Sequence, residues 1–202
     1  MRPQTGTERL EARRARRERH AAETDQAVVL KAAARFLELR SRSVGEVRRH
    51  LLAAAFPEPL IEDAIARLLE LGMLDDRAFA QAWVESRDRA RPRGEAALRR
   101  ELALKGIDRE TAAAVLAERS EAAGSDDSDG ESAESGAGPA RDADELAAER
   151  LLAKNRSALM RVADLRLRRQ RAYGLLARNG FDPDVCRSVS ARLVAAEDAP
   201  ED

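Results

Sequence analysis

Few residues of this 202-residue chain have the side chains of catalysis or metal binding, and their spacing assembles neither. Its two histidines are isolated. His20 lies in an arginine-rich leading stretch and His50 in an arginine-flanked helix, and neither sits near a serine or cysteine signature for nucleophilic chemistry. Cys186 is the lone cysteine, which excludes a disulfide scaffold and a cysteine-based zinc site and suits a reducing compartment. It falls between apolar positions of the last helix, as a small packing residue does. Asp75-Asp76 has the chemistry of a metal pair, but adjacent acids at a helix start serve more simply as cap and dipole partner. No phosphate-binding loop, dinucleotide glycine fingerprint or metal-ligand spacing is present. The expectation is a protein with no catalytic residue, no metal and no cofactor.

Arginine is the other chemistry on offer: 33 of the 36 basic side chains are Arg. The net charge of −1 hides a segregation. Residues 121–145 carry −8 and the last six residues −4, which leaves +11 on the remainder. Basic faces of that kind attract polyanions such as nucleic acid, although a GC-rich genome produces arginine and alanine regardless of function. Two runs stand out. One holds Arg87, Arg89, Arg91, Arg93, Arg99 and Arg100; the other holds Arg166, Arg168, Arg169, Arg171 and Arg178. Helical spacing cannot put all of these on one face, so some are plain solvated charge. The six aromatics occupy helix or break positions, where core packing is expected rather than a stacking platform for single strands.

The elements that position these residues come from a repeat. Gly45–Leu69, Gly94–Glu118 and Arg169–Val194 each read as a charged amphipathic helix, a tight break, an apolar residue (Phe56, Ile107, Phe181) and a second helix. A further helix precedes each pair: Ala27–Leu39, Asp76–Arg89, and Asp144–Leu167, the last as one helix or two. Ser43 with Glu46 forms a capping box. Gly106 and Gly180 stand where a helix ends in a left-handed residue. Asp182-Pro183-Asp184 supplies a cap, a first-turn proline and a dipole partner. The expected fold is all-α: three tandem three-helix modules in an elongated, curved array, since units this small bury their apolar faces only by stacking.

The expected organisation follows. A basic, disordered arm covers 1–26, module one 27–74 and module two 75–120. An acidic disordered insert covers 121–143, module three 144–196 and an acidic tail 197–202. Gly124–Ala140 has four glycines and no large apolar residue, so it cannot offset the entropy of ordering. The leading residues have no apolar stretch for a secretory signal. The longest uncharged run, His50–Pro57, is far short of the ~20 residues of a membrane helix.

Two blocks carry a resemblance. Leu71-Gly-Met-Leu-Asp-Asp-Arg-Ala-Phe-Ala, and then Arg-x-Arg-Gly with Arg100-Glu-Leu-x-x-Lys-Gly-Ile, resemble the RecX regulatory proteins, modulators of the RecA recombinase. The likeness runs from about residue 30 to 195, with the acidic insert extra. Leu74, Asp75, Asp76, Phe79 and Ala80 fit the central block. Gly94, Leu98, Glu101, Leu102, Lys105 and Gly106 fit the following motif, and Arg178, Gly180 and Phe181 the third turn; these positions are mostly structural. Ala54-Ala55 departs from the usual Lys-Gly before Phe56, Glu95 from a common proline, and Ala97 from a common base.

What the resemblance implies is a regulator of DNA repair and recombination, within the SOS response, that lies on RecA and its single-stranded DNA filament. There it restrains filament extension, ATP hydrolysis and strand exchange. The expected contacts, read from the charge pattern, are the two arginine runs. Weak direct DNA binding, no membrane, a monomeric state and a cytoplasmic location complete the expectation. Two rivals stay open: a helix-turn-helix regulator of duplex DNA, which would bind spaced half-sites, and a generic helical adaptor whose binding would not depend on salt.

Overall fold

The computed structural model describes residues 6–126 and 142–195, and among these every regular element is an α-helix. They are α1 (Gly6–Ala21), α2 (Gln26–Leu37), α3 (Val44–Ala53), α4 (Glu58–Glu70), α5 (Asp76–Ala90) and α6 (Glu95–Lys105), followed by α7 (Arg109–Asp126), α8 (Ala143–Lys154), α9 (Arg156–Met160), α10 (Leu165–Arg178) and α11 (Pro183–Ala195). The all-α reading with tandem three-helix modules holds: α2–α4, α5–α7 and α8–α11. In the last module the lead segment is two helices, separated at Asn155, whose side-chain amide donates to the Leu151 carbonyl at 2.8 Å.

The acidic tail and most of the acidic insert lie outside the described residues. At the insert's edges α7 continues to Asp126 and α8 begins at Ala143. Residues 6–21 of the segment expected to be disordered form α1, whose own residues are exposed apart from half-buried His20. Alanine, arginine and glutamate favour helix, and Arg14 pairs with Glu18 one turn on at 3.0 Å.

Among the described residues two units emerge from the packing: 6–79 with Lys105–Ile107, and 80–104 with 108–126 and 142–195. In unit one, Val29 and Ala33 of α2, Val47 and Leu51 of α3, and Ile61, Ala64, Ile65 and Leu68 of α4 close over Phe56 and Leu74. The spacings of three and four residues are those of one helix face. In unit two, Ala147, Ala148, Leu151 and Leu152 of α8 and Leu159 of α9 pack with Ala172 and Leu176 of α10 and Phe181, Cys186 and Val189.

Local chemistry sets the helix ends. Ser43, Asp75, Asp108 and Asp164 each accept a backbone N–H three residues on, at 3.1, 2.9, 2.8 and 2.9 Å. At the breaks, Gly106 (φ 88°) and Gly180 (φ 83°) are left-handed, as expected. Ala55 adopts the same conformation (φ 70°) without being glycine. The Phe56 and Phe181 amides reach back to the carbonyls of Leu51 and Leu176 at 3.3 and 3.4 Å, closing matching helix-terminating turns.

Candidate partner-binding surface

Most motif residues build joints rather than a reactive site. In unit one, Ser43 Oγ donates to the Lys105 carbonyl at 2.6 Å, and the Asp76 carboxylate accepts the Val44 amide at 2.8 Å. Lys105 Nζ then reaches Glu46 Oε1 at 2.8 Å, with Arg40 on the same carboxylate at 3.1 Å. Burial pushes the Glu46 carboxyl upward, but Lys105 and Arg40 outweigh it and hold its pKa below the usual value. A Cβ on Gly45 would come within 2.7 Å of the Lys105 carbonyl oxygen, so side-chain-free backbone is required there. Asp75 and Asp76 are thus committed as cap and backbone acceptor. Leu74, Phe79 and Leu102 are buried.

Unit two repeats the device. The Gly94 amide donates to the Asn179 carbonyl at 3.1 Å, beside Gly180, and the Asp144 carboxylate accepts the Glu95 amide at 2.9 Å. Asp144 also receives Arg119 at 2.7 Å, while Arg119 holds Asp88 at 2.8 Å. Burial raises the Asp144 pKa, with the Glu95 amide and Arg119 guanidinium opposing it, while Asp88 and Asp144 raise the Arg119 pKa against its own burial. Nothing local in the sequence marks Arg119, since its partners lie 31 and 25 residues away.

The first arginine run splits in two. Arg87 stacks on Trp83, 4.2 Å from the ring centre, and donates to Glu101 at 2.6 Å, where the Trp83 indole N–H also donates at 3.0 Å. Arg93 donates to Asn179 Oδ1 at 2.6 Å and lies 3.6 Å from Glu101. These two are structural side chains held by the motif's Glu101. Arg89, Arg91, Arg99 and Arg100 are exposed. Arg99 is paired with Glu95, and Arg89 lies 3.9 Å from Glu85 in a mostly exposed pair.

The second run also divides. Arg168 is 8 % exposed and donates to the Val162 carbonyl at 2.9 Å, so it is a buried staple. Its spacing of four from Ala172 and eight from Leu176 places it on the core face of α10. Arg166 and Arg169 line one cleft, Arg171 and Arg178 line another, and Tyr173 borders both. Among the described residues no carboxylate lines either cleft. The aromatic expected only in the core is therefore half-buried among cations.

The residues with catalytic chemistry are differently placed. Cys186 is fully buried, its thiol pushed up by burial and by Asp182 and Asp144. His20 and His50 stack on Phe56 and Phe36. Among the described residues no group of three or more His, Cys, Asp or Glu side chains could hold a metal ion, and no helix is long and apolar enough to cross a membrane.

The family description "RecX, first three-helix domain" matches residues 30–68, and "RecX, second three-helix domain" matches residues 75–116. The chain is 33 % identical over 163 residues to "Regulatory protein RecX" of Mycobacterium avium (strain 104), across 80 % of this chain and 82 % of that protein. It is 31 % identical over 163 residues to "Regulatory protein RecX" of Mycobacterium sp. (strain JLS), across 81 % and 80 %. In fold it resembles the crystal structure of RecX from Lactobacillus salivarius, with a TM-score of 0.65 at 18 % identity, across 83 % of this chain and 96 % of that one. With duplicated glycine joints and two matching three-helix domains in a relative of this coverage, the chain belongs to the RecX family of regulatory proteins.

Proposed function

We propose that the chain binds RecA and its filament on single-stranded DNA and restrains filament extension, ATP hydrolysis and strand exchange. It acts as a cytoplasmic monomer, performing no reaction on a substrate. Membership of a regulatory family across four-fifths of the chain carries this reading. The surface is compatible with it. Of the two arginine runs, Arg89, Arg91, Arg99, Arg100, Arg166, Arg169, Arg171 and Arg178 are exposed, and they form the contact set. Arg87, Arg93 and Arg168 hold the scaffold instead.

Exposed guanidiniums meet phosphates and carboxylates bidentately and steer encounter electrostatically. The test is co-sedimentation with RecA assembled on single-stranded DNA over a salt series. Saturable binding that weakens steeply with salt supports the reading; salt-independent binding or none contradicts it.

A further inference from the structure

In unit one, α1 and the α2 and α3 helices enclose a cleft of about 450 Å³ with an unusual wall. Arg13, Arg16 and Arg17 line it from α1, Arg35 from α2, and His20 and His50 complete the polar set; among the described residues no carboxylate lines it. Among the described residues none of the four arginines has an acidic partner. Elsewhere on α1 the cations are used differently: Arg14 pairs with Glu18 and Arg19 donates to the Ala15 carbonyl. Cations that converge without counter-charge repel one another, and an anion bound among them would relieve that repulsion.

The floor is rigid. His20 Nδ1 donates to the Ala54 carbonyl at 3.0 Å while its ring stacks on Phe56 at 4.0 Å. Phe36 stacks with His50 at 3.9 Å and carries the Arg42 guanidinium over its ring at 4.1 Å. Burial first, and then the nearby Arg42 and Arg16, depress the His50 pKa.

We propose that this cleft binds the sugar-phosphate backbone of single-stranded nucleic acid. The guanidiniums extend over Arg13–Arg17 of α1 and across to α2, which suits a run of phosphates more than one terminal group. With Phe36 and Phe56 each engaged by a stacked histidine, bases gain little platform, so recognition is of the backbone and indifferent to sequence. The contact is made by the chain alone and does not depend on the recombinase reading.

Titration of a fluorescent oligothymidine with the full chain, followed by anisotropy over a salt series, tests this. The variant Arg13→Ala/Arg16→Ala/Arg17→Ala is expected to bind about tenfold more weakly or worse. Its slope of log affinity against log salt should flatten by about 2, since each single-strand phosphate contact contributes about 0.7. Arg35→Ala, on a different helix, should weaken binding in the same direction if α1 stays in place. The equal-charge control Arg9→Ala/Arg14→Ala/Arg19→Ala should retain the affinity of the parent chain. Parent-like binding by the cleft variant, equal losses in both triple variants, or no binding by the parent overturns the proposal. Displacement of the oligonucleotide by ATP or by oligoglutamate at matched charge also overturns it, and assigns the cleft to nucleotides or acidic peptides.

Discussion

Gly94 and Gly180 meet so closely that a Cβ on Gly94 would lie 2.2 Å from the Gly180 carbonyl oxygen, and one on Gly180 2.5 Å from the Ala97 Cβ. The contact is backbone on backbone, so no rotamer change relieves it. Gly94→Ala is expected to cost about 3 kcal/mol, the upper range for overpacking. Urea denaturation followed by circular dichroism measures it, with Gly6→Ala as the comparison: nothing lies within 4 Å of Gly6.

Ala55 offers the opposite sign. A non-glycine residue held at φ 70° bears the left-handed penalty of about 1–2 kcal/mol, whereas glycine gives back about 0.5–1 kcal/mol in chain entropy. Ala55→Gly should therefore stabilise unit one by about 0.5–1 kcal/mol, read as a higher urea midpoint with unchanged slope.

Both positions show what the sequence makes legible. Gly106, Gly180 and the Ser43–Glu46 box are local signals, and the structure uses them as helix ends and joints. The same logic places Arg168 inside, because its four-residue spacing from Ala172 is a core pattern that its charge type obscures. Contacts between distant segments leave no such trace. The His20–Phe56 stack joins residues 36 apart and seats a helix whose composition alone reads as an unstructured arm. The partition of arginines between Glu101, Asp88, Asp144 and solvent likewise exists only after folding.

Arg119 is the most consequential of those hidden cations. Its side chain is 9 % exposed and bridges Asp88 and Asp144. Arg119→Ala leaves the buried Asp144 and the part-buried Asp88 carboxylates without their shared cation and should cost about 3 kcal/mol. Adding Asp88→Asn to that variant should recover part of the loss, and a double-mutant cycle on thermal denaturation reads the coupling.

The Glu46 carboxylate gives unit one an acid-sensitive joint. Burial works against its charge, but Lys105 and Arg40 hold its folded pKa below the unfolded value of about 4.3. Its contribution is thus present above pH ~4.3 and is lost as pH falls through the lower folded value. In acid titrations followed by circular dichroism, Glu46→Gln should lower stability at neutral pH. The gap between variant and parent should close as the solution is acidified below about pH 4.

Hydrolysis of ATP by RecA on single-stranded DNA, measured while the chain is titrated in, bears on the whole account. The parent chain should suppress turnover to a saturating plateau. The charge reversal Arg89→Glu/Arg91→Glu/Arg99→Glu/Arg100→Glu, folded as judged by helicity, should need a markedly higher concentration to do so. Undiminished hydrolysis in the presence of excess parent chain, or equal suppression by the reversed variant, would contradict it.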